Sequence, residues 1–367
     1  MAIAGSNILL DSTEGMDKIT QTEKVTSAYH SNGTALLSGA SIVSTSLSDT
    51  NETYFFGISD SSTPTVEEWN VAFGSTNGYG AVDTTTTKSN TEAIYGQYAN
   101  LLLAPTEVTG GFFISSPASD SAVTSGKDTE LYILSARRSN MKDRLNKGSW
   151  TIALSGSATE DVNGTIKRHL SLTDDSKGSE PTATPVGDRY NIVSGSAGTV
   201  VSQSSARNFG FFYPDMGIMV LSAAELSASI PGTGSKAGET VIFGDQNHAG
   251  LAYPTTTNDS ENRKTALRFI NCLRGGSLSF RDEEDQVSAQ YFVRVRSGQM
   301  NFSNNPTFVS GSLNELRQST MKGNPSTFIT SVQLYNQSGE MVAVGNLSTP
   351  LKKNFSSEAT IKVKLTY

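Results

Sequence analysis

Between Ser331 and Tyr367 the chain alternates apolar and polar residues, and that period of two admits little but antiparallel sheet. Val332 and Leu334 alternate with Ser331 and Gln333, and the turn residues Gln337-Ser338-Gly339-Glu340 follow. Met341 to Val344 starts a second apolar run, which Gly345, Asn346 and then Pro350 are expected to end. Ile361, Val363, Leu365 and Tyr367 alternate with Thr360, Lys362, Lys364 and Thr366, the pattern of a half-buried strand. The C-terminus is therefore expected to be tied into a sheet.

Composition supports a β-rich chain. Only 17% of the 367 residues are charged and 36% are hydrophobic, with 33 Gly and many Ser and Thr. Disordered chains of this polarity usually carry more charge, whereas exposed sheets and long loops suit this mixture. The net charge of −7 comes without any Lys/Arg cluster larger than a pair, so phosphate neutralisation cannot drive binding and nucleic acid is not expected as a partner. No apolar run approaches the length of a bilayer span, and the N-terminus lacks the pattern of a signal peptide. The single cysteine, Cys272, rules out an intrachain disulfide and a cysteine-based zinc cluster.

The patterning predicts a β-dominated α+β fold, with antiparallel sheets or a sandwich, long loops and two main helices at about 91–103 and 261–273. Asn90 is a suitable N-cap for the first helix, whose Ile94, Tyr95, Tyr98, Leu101 and Leu102 share one face, and Pro105 stops it. The second places Ala266, Leu267, Phe269, Ile270 and Leu273 along an apolar side, and Gly275-Gly276 stops it. Three regions are expected: residues 1–89 as an N-terminal arm and small β region, 90–275 as a central α+β region, and 276–367 as a C-terminal antiparallel β region. The Gly/Ser/Thr-rich stretch at 155–205 reads as a β-rich insertion or a long surface loop.

Candidate chemistry is sparse. Gly232 to Gly238 has the composition of a phosphate loop, but a strand pattern follows it where the phosphate loop needs a helix. Asp282 to Asp285 lacks the alternate ligand spacing and the glycine of a calcium loop, and reads as an exposed acidic turn. His30, His169 and His248 lie in separate polar segments without metal spacing and read as solvated, and Cys272 reads as a small buried core residue. No catalytic, cofactor-binding or metal-binding residue is assigned, and no enzymatic activity is expected.

Several stretches carry a resemblance. They are Ala93 to Leu103, Leu145 to Trp150, Phe212 to Ile218, Asn301 to Pro306 and, above all, Phe328 to Asn336 with Val342 to Val344 and Leu351 to Lys353. In these the chain resembles virion structural proteins, of baseplate or neck, from large contractile-tailed bacteriophages, especially those infecting marine cyanobacteria. The Leu334-Tyr335-Asn336 hairpin is also similar to one in attachment domains of phage tail fibres, and Thr53 to Gly57 looks like the opening strand of some baseplate wedge subunits. The resemblance covers about 90–367 in patches and implies a tail subunit made in the host cytoplasm and built into the virion. Its partners would be other baseplate or neck proteins, in multiple copies and as possible homo-oligomers, with no cofactor. The alternative it implies is a tail-fibre or receptor-binding protein that recognises host glycans, for which Phe209 to Asp215 could form an aromatic platform.

Overall fold

The computed structural model describes residues 17–44, 55–80, 90–114, 127–157, 167–201, 207–230, 251, 265–310 and 315–367. Strands β1 (Lys18–Ala28), β2 (Leu36–Ser38), β3 (Ile42–Ser44), β4 (Phe55–Asp60) and β5 (Glu67–Ser75) come first, then helix α1 (Asn90–Leu102). Next are β6 (Glu130–Ala136), β7 (Arg144–Leu145), β8 (Thr151–Ser157), β9 (Lys167–Asp174), β10 (Thr182–Thr184), β11 (Gly187–Ser196) and β12 (Thr199–Val200). After β13 (Asn208–Tyr213) and β14 (Ile218–Ser222) come helices α2 (Ala223–Ser229) and α3 (Thr265–Arg274). Seven strands complete the chain: β15 (Ser277–Ser279), β16 (Arg281–Val295), β17 (Val309–Ser310), β18 (Glu315–Leu316), β19 (Thr327–Tyr335), β20 (Met341–Lys353) and β21 (Ala359–Thr366). The fold is β-dominated, 49% strand and 16% helical, as the alternating patterns predict.

Two compact units emerge, Val25–Glu284 and a smaller one of Asp285–Tyr367 with residues up to Lys24. This division differs from breaks at 89/90 and 275/276. The reason is strand pairing: β3, β4 and β5 join β6 in one sheet, so these strands belong to the central body, while β1 pairs with β16.

The larger unit is built on a 13-stranded antiparallel sheet in the order β2-β15-β8-β9-β11-β13-β14-β6-β5-β4-β3, with β10 and β12 paired to β11. Its two edge strands, β2 and β3, are separated in the chain only by the single 3-10 turn Gly39–Ser41, so the sheet curls almost into a barrel. The seam needs a glycine. A Cβ on Gly39 would collide with the carbonyl oxygens of Arg274 and Gly276, and Gly39 N–H donates to Gly276 O at 2.8 Å.

Helix α3 packs against β3, β4, β5, β8 and β15, and every residue from Thr265 to Leu273 is buried. The second predicted helix is thus found, and sheet surrounds the sides beyond its predicted apolar one as well; residues 261–264 of that prediction lie outside the described ones. Helix α1 matches the first predicted helix and lies on the other face of the sheet; of its predicted apolar face Tyr95 and Leu102 are buried and Ile94 and Tyr98 partly so, while Leu101 is exposed. Tyr95, Ala99 and Leu102 cluster there with Leu131, Ile133, Phe211 and Val220, while Tyr132, Leu134, Phe212 and Leu221 point into the α3-side core. Strands buried on both faces need continuous apolar runs, which explains Leu131-Tyr132-Ile133-Leu134 and Phe209 to Tyr213.

The 155–205 stretch is a β-rich part of this sheet. Leu172, Tyr190 and Ile192 from β9 and β11 reach the main core, while residues 158–166 and 202–205 lie outside the described ones.

The smaller unit holds β21 against β16, with Val363 opposite Tyr291 and Ile361 opposite Val293. Ile361 is buried, Val363 and Leu365 are half-buried, and Lys362 and Lys364 are exposed, which is the register the alternation predicts. Strands β19 and β20 pair only with each other. Here the structure departs from a strand ended at Gly345 and Pro350: β20 runs on to Lys353. Proline is tolerated because the register jumps from Ile329↔Leu351 to Ser331↔Asn346, leaving Pro350 in the irregularity, where no ladder hydrogen bond is asked of it.

Candidate assembly surface

The smaller unit has strands but almost no core. Both clusters of buried apolar side chains lie between Tyr29 and Phe280. From Asp285 onward the buried apolar residues, among those described, are Ala289, Val295, Val309 and Ile361. Burial of apolar area is the main favourable term in folding, so a sheet unit of this size with four buried apolar side chains is marginal alone.

Its most exposed part is the β19–β20 ribbon. Phe328, Tyr335, Met341, Val342 and Val344 are between 54% and 62% exposed. Scattered apolar residues on a surface are ordinary, but five so exposed on one two-stranded ribbon, shared between its two faces, are exposure of the kind that marks an interaction site. Charge is also missing: between Lys322 and Lys352 the only charged residue is Glu340. Strand edges without Lys, Glu or proline early in the strand are open to pairing with another chain.

The ribbon is fixed at its root. Lys353 is fully buried, and its ammonium donates to Ser297 O at 2.9 Å, Asn301 Oδ1 at 2.9 Å and Asn354 O at 2.8 Å. An ammonium has three donors, and here all three are used. Opposite it in the ladder, Thr327 Oγ1 donates to the carbonyl of Met300, which adopts a left-handed φ of 53°. At the tip, Gly339 takes φ 82°, as the turn requires, and Asn336 Nδ2 donates to Glu340 Oε2 at 2.8 Å.

The residues weighed for chemistry are otherwise employed. Asp282 and Glu283 are not an exposed acidic turn: both are buried in β16. Asp282 accepts from Ser27 Oγ at 2.6 Å, and Glu283 pairs with Arg144 at 2.8 Å and accepts from Asn146. A buried carboxylate needs such partners, and sequence shows the acids without them. Phe209, Phe211, Phe212 and Tyr213 are all at most 5% exposed, so they present no aromatic platform. Cys272 is buried, as expected, and burial pushes its thiol well above the usual range. His169 is exposed on β9, while His248 and Gly232 to Gly238 lie outside the described residues. Among the described residues no group of three potential ligands could hold a metal ion. A cavity of about 200 Å³ is lined by Leu170, Ser194, Val201, Arg207 and Phe209 among others, smaller than usual ligand sites.

His30 also departs from its sequence reading, for it is buried instead of solvated. Its Nε2 lies 3.5 Å from Trp69 Nε1 and 4.0 Å from Glu68 Oε2, and its Nδ1 3.2 Å from Thr34 O. Glu68 is 0% exposed and receives Ser31 N–H at 2.9 Å. With both side chains sealed from solvent, the pair holds the Tyr29–Thr34 loop onto β5 and offers no access to a substrate.

Burial lowers the His30 pKa from 6.5 to about 4, against the opposing pull of Thr34 O and Asp60. The unfolded chain therefore binds the proton first as pH falls. Stability should decline from pH 6.5 to about 4, by at most about 3 kcal/mol from this group. Burial raises the Glu68 pKa, and that contribution runs the opposite way, being lost as pH rises through its folded value. Denaturant melts of wild type and His30→Gln across this range share the Glu68 term, so a flatter curve in the variant checks the assignment.

Comparison of the chain with protein-family models, curated proteins and solved structures finds no match. Among the described residues no helix is long and apolar enough to cross a membrane.

Proposed function

We propose that the chain is a structural subunit of a contractile bacteriophage tail, in the baseplate wedge or neck, and that it acts by protein–protein assembly without catalysis. The observation that carries this reading is the contrast between the two units. One has a nearly closed sheet around a buried helix, and the other has almost no core and a ribbon with exposed apolar side chains and little charge. A chain pays for such an exposed ribbon only where a neighbour covers it. The strongest stretch of the resemblance, Phe328 to Asn336 with Val342 to Val344 and Leu351 to Lys353, is this same ribbon. Burial of Phe209 to Tyr213 takes away the platform on which a glycan-recognising fibre reading would rest.

Tails stripped of their fibres and examined by quantitative mass spectrometry test the proposal. The chain should remain in them in several copies per tail. Loss of the chain together with the fibres, or its absence from tails, would refute the assignment.

A further inference from the structure

We propose that the β19–β20 ribbon is an isologous contact, packing face to face and antiparallel against the same ribbon of a second copy of this chain. The inference rests on the assembly reading above and names the partner. One ribbon face carries Phe328, Val332 and Leu334 from β19, with Gly345 opposite Val332, Ala343 opposite Leu334 and Lys352 opposite Phe328. Phe328 is 60% exposed, Val332 and Leu334 are half-buried, and Lys352 is exposed. A Cβ on Gly345 would meet nothing within 4 Å, so a notch stands open beside Val332.

The charges select the occupant. Lys352 stands at the root of the ribbon and Glu340 at its tip, and between them the sequence is uncharged. The two ends thus carry opposite signs. A two-fold axis through the middle of the face lays the tip of one ribbon over the root of the other and sets Glu340 against Lys352 twice. A parallel stack would instead place like charges together. An isologous contact requires such self-complementarity. The Lys353 clamp holds the root in place, so the face is presented in a fixed direction.

The footprint is modest. Nine residues at about 3.3 Å each across two strands give roughly 300 Å² per copy. Stable complexes bury about 800 Å² per partner, so the isolated dimer should be weak and should strengthen where an assembly already holds copies close.

Sedimentation equilibrium of the full chain, from about 10 μM to about 0.5 mM, tests the contact at a range where weak dimers register. Wild type should show a concentration-dependent rise in mass, and Leu334→Lys should stay monomeric. Glu340→Lys and Lys352→Glu, both at exposed positions and so expected to fold, should each weaken association by about 3- to 10-fold. The double variant should return to within about 2-fold of wild type, because reversal restores both pairs. A monomeric wild type, or a double variant no tighter than the single ones, overturns the proposal. Limited proteolysis of the same samples separates the two readings. A monomer cut rapidly within 326–353 has a ribbon awaiting a different protein, so the second copy fails while assembly stands. A monomer that resists protease there has a self-sufficient ribbon, and both readings fail.

Discussion

Phe269→Ala should destabilise the larger unit by about 3–5 kcal/mol, the usual range for removing a buried aromatic side chain. Phe269 is fully buried on α3, and its ring centroid lies 5.4 Å from that of Tyr132. The surrounding sheet pairs around nearly its whole circumference, so it cannot collapse far into the space left behind. Fluorescence reports this directly, because the chain has two tryptophans and both Trp69 and Trp150 lie in this core. Val344→Ala on the ribbon should leave the same denaturation curve within about 0.5 kcal/mol, since an exposed side chain contributes little. Equal shifts in the two variants would mean that the ribbon shares the core, against the division drawn here.

Lys353→Met should have its effect where fluorescence does not see it. Methionine keeps the length of the side chain but leaves Ser297 O, Asn301 Oδ1 and Asn354 O without their donor. The Asn301 acceptor is buried and the other two partly so, and an orphaned buried acceptor costs about 1–3 kcal/mol, so the root of the ribbon should lose about 3 kcal/mol. Local opening free energy sets amide exchange in such regions. Exchange between Thr327 and Lys353 should therefore quicken by about 100-fold, while the tryptophan melt stays put. Unchanged exchange would show that the ribbon is held by something other than this clamp.

Both results bear on function through one point, that the chain keeps its core and its exposed apolar surface in separate places. On the proposed assembly reading, a mutation in the body should remove the protein, and one on the ribbon should remove only the assembly contact. Complementation of particle formation by ribbon variants that retain the wild-type melt would read this difference.

Strand content, the register of β21 and both main helices follow from periodicity alone. Period two and period 3.6 are local properties, and Ile361, Tyr95 and Phe269 obey them whatever surrounds them. The burial of Asp282, Glu283 and His30 was not legible, because their partners Ser27, Arg144 and Glu68 are remote in the chain. An acid run looks solvated until the strand that satisfies it is known. The burial of Arg268 and Asn271 on α3 was not legible either, because the sheet that closes around the whole helix is built from strands remote in the chain.

The sequence by itself determined the main helices, most of the strands and the alternation of β21, and that the span between Lys322 and Lys352 is almost uncharged. Only the tertiary structure decided where those segments go. Strand order depends on pairings such as β15 with β8, made between residues far apart in the chain. Likewise, the alternation at Val332 and Leu334 reads the same on a covered strand as on a bare one. Whether the apolar face finds a partner is settled by which other strands remain to cover it, and in the folded chain the others pair elsewhere: in the near-closed sheet around α3, with β16, or β17 with β18.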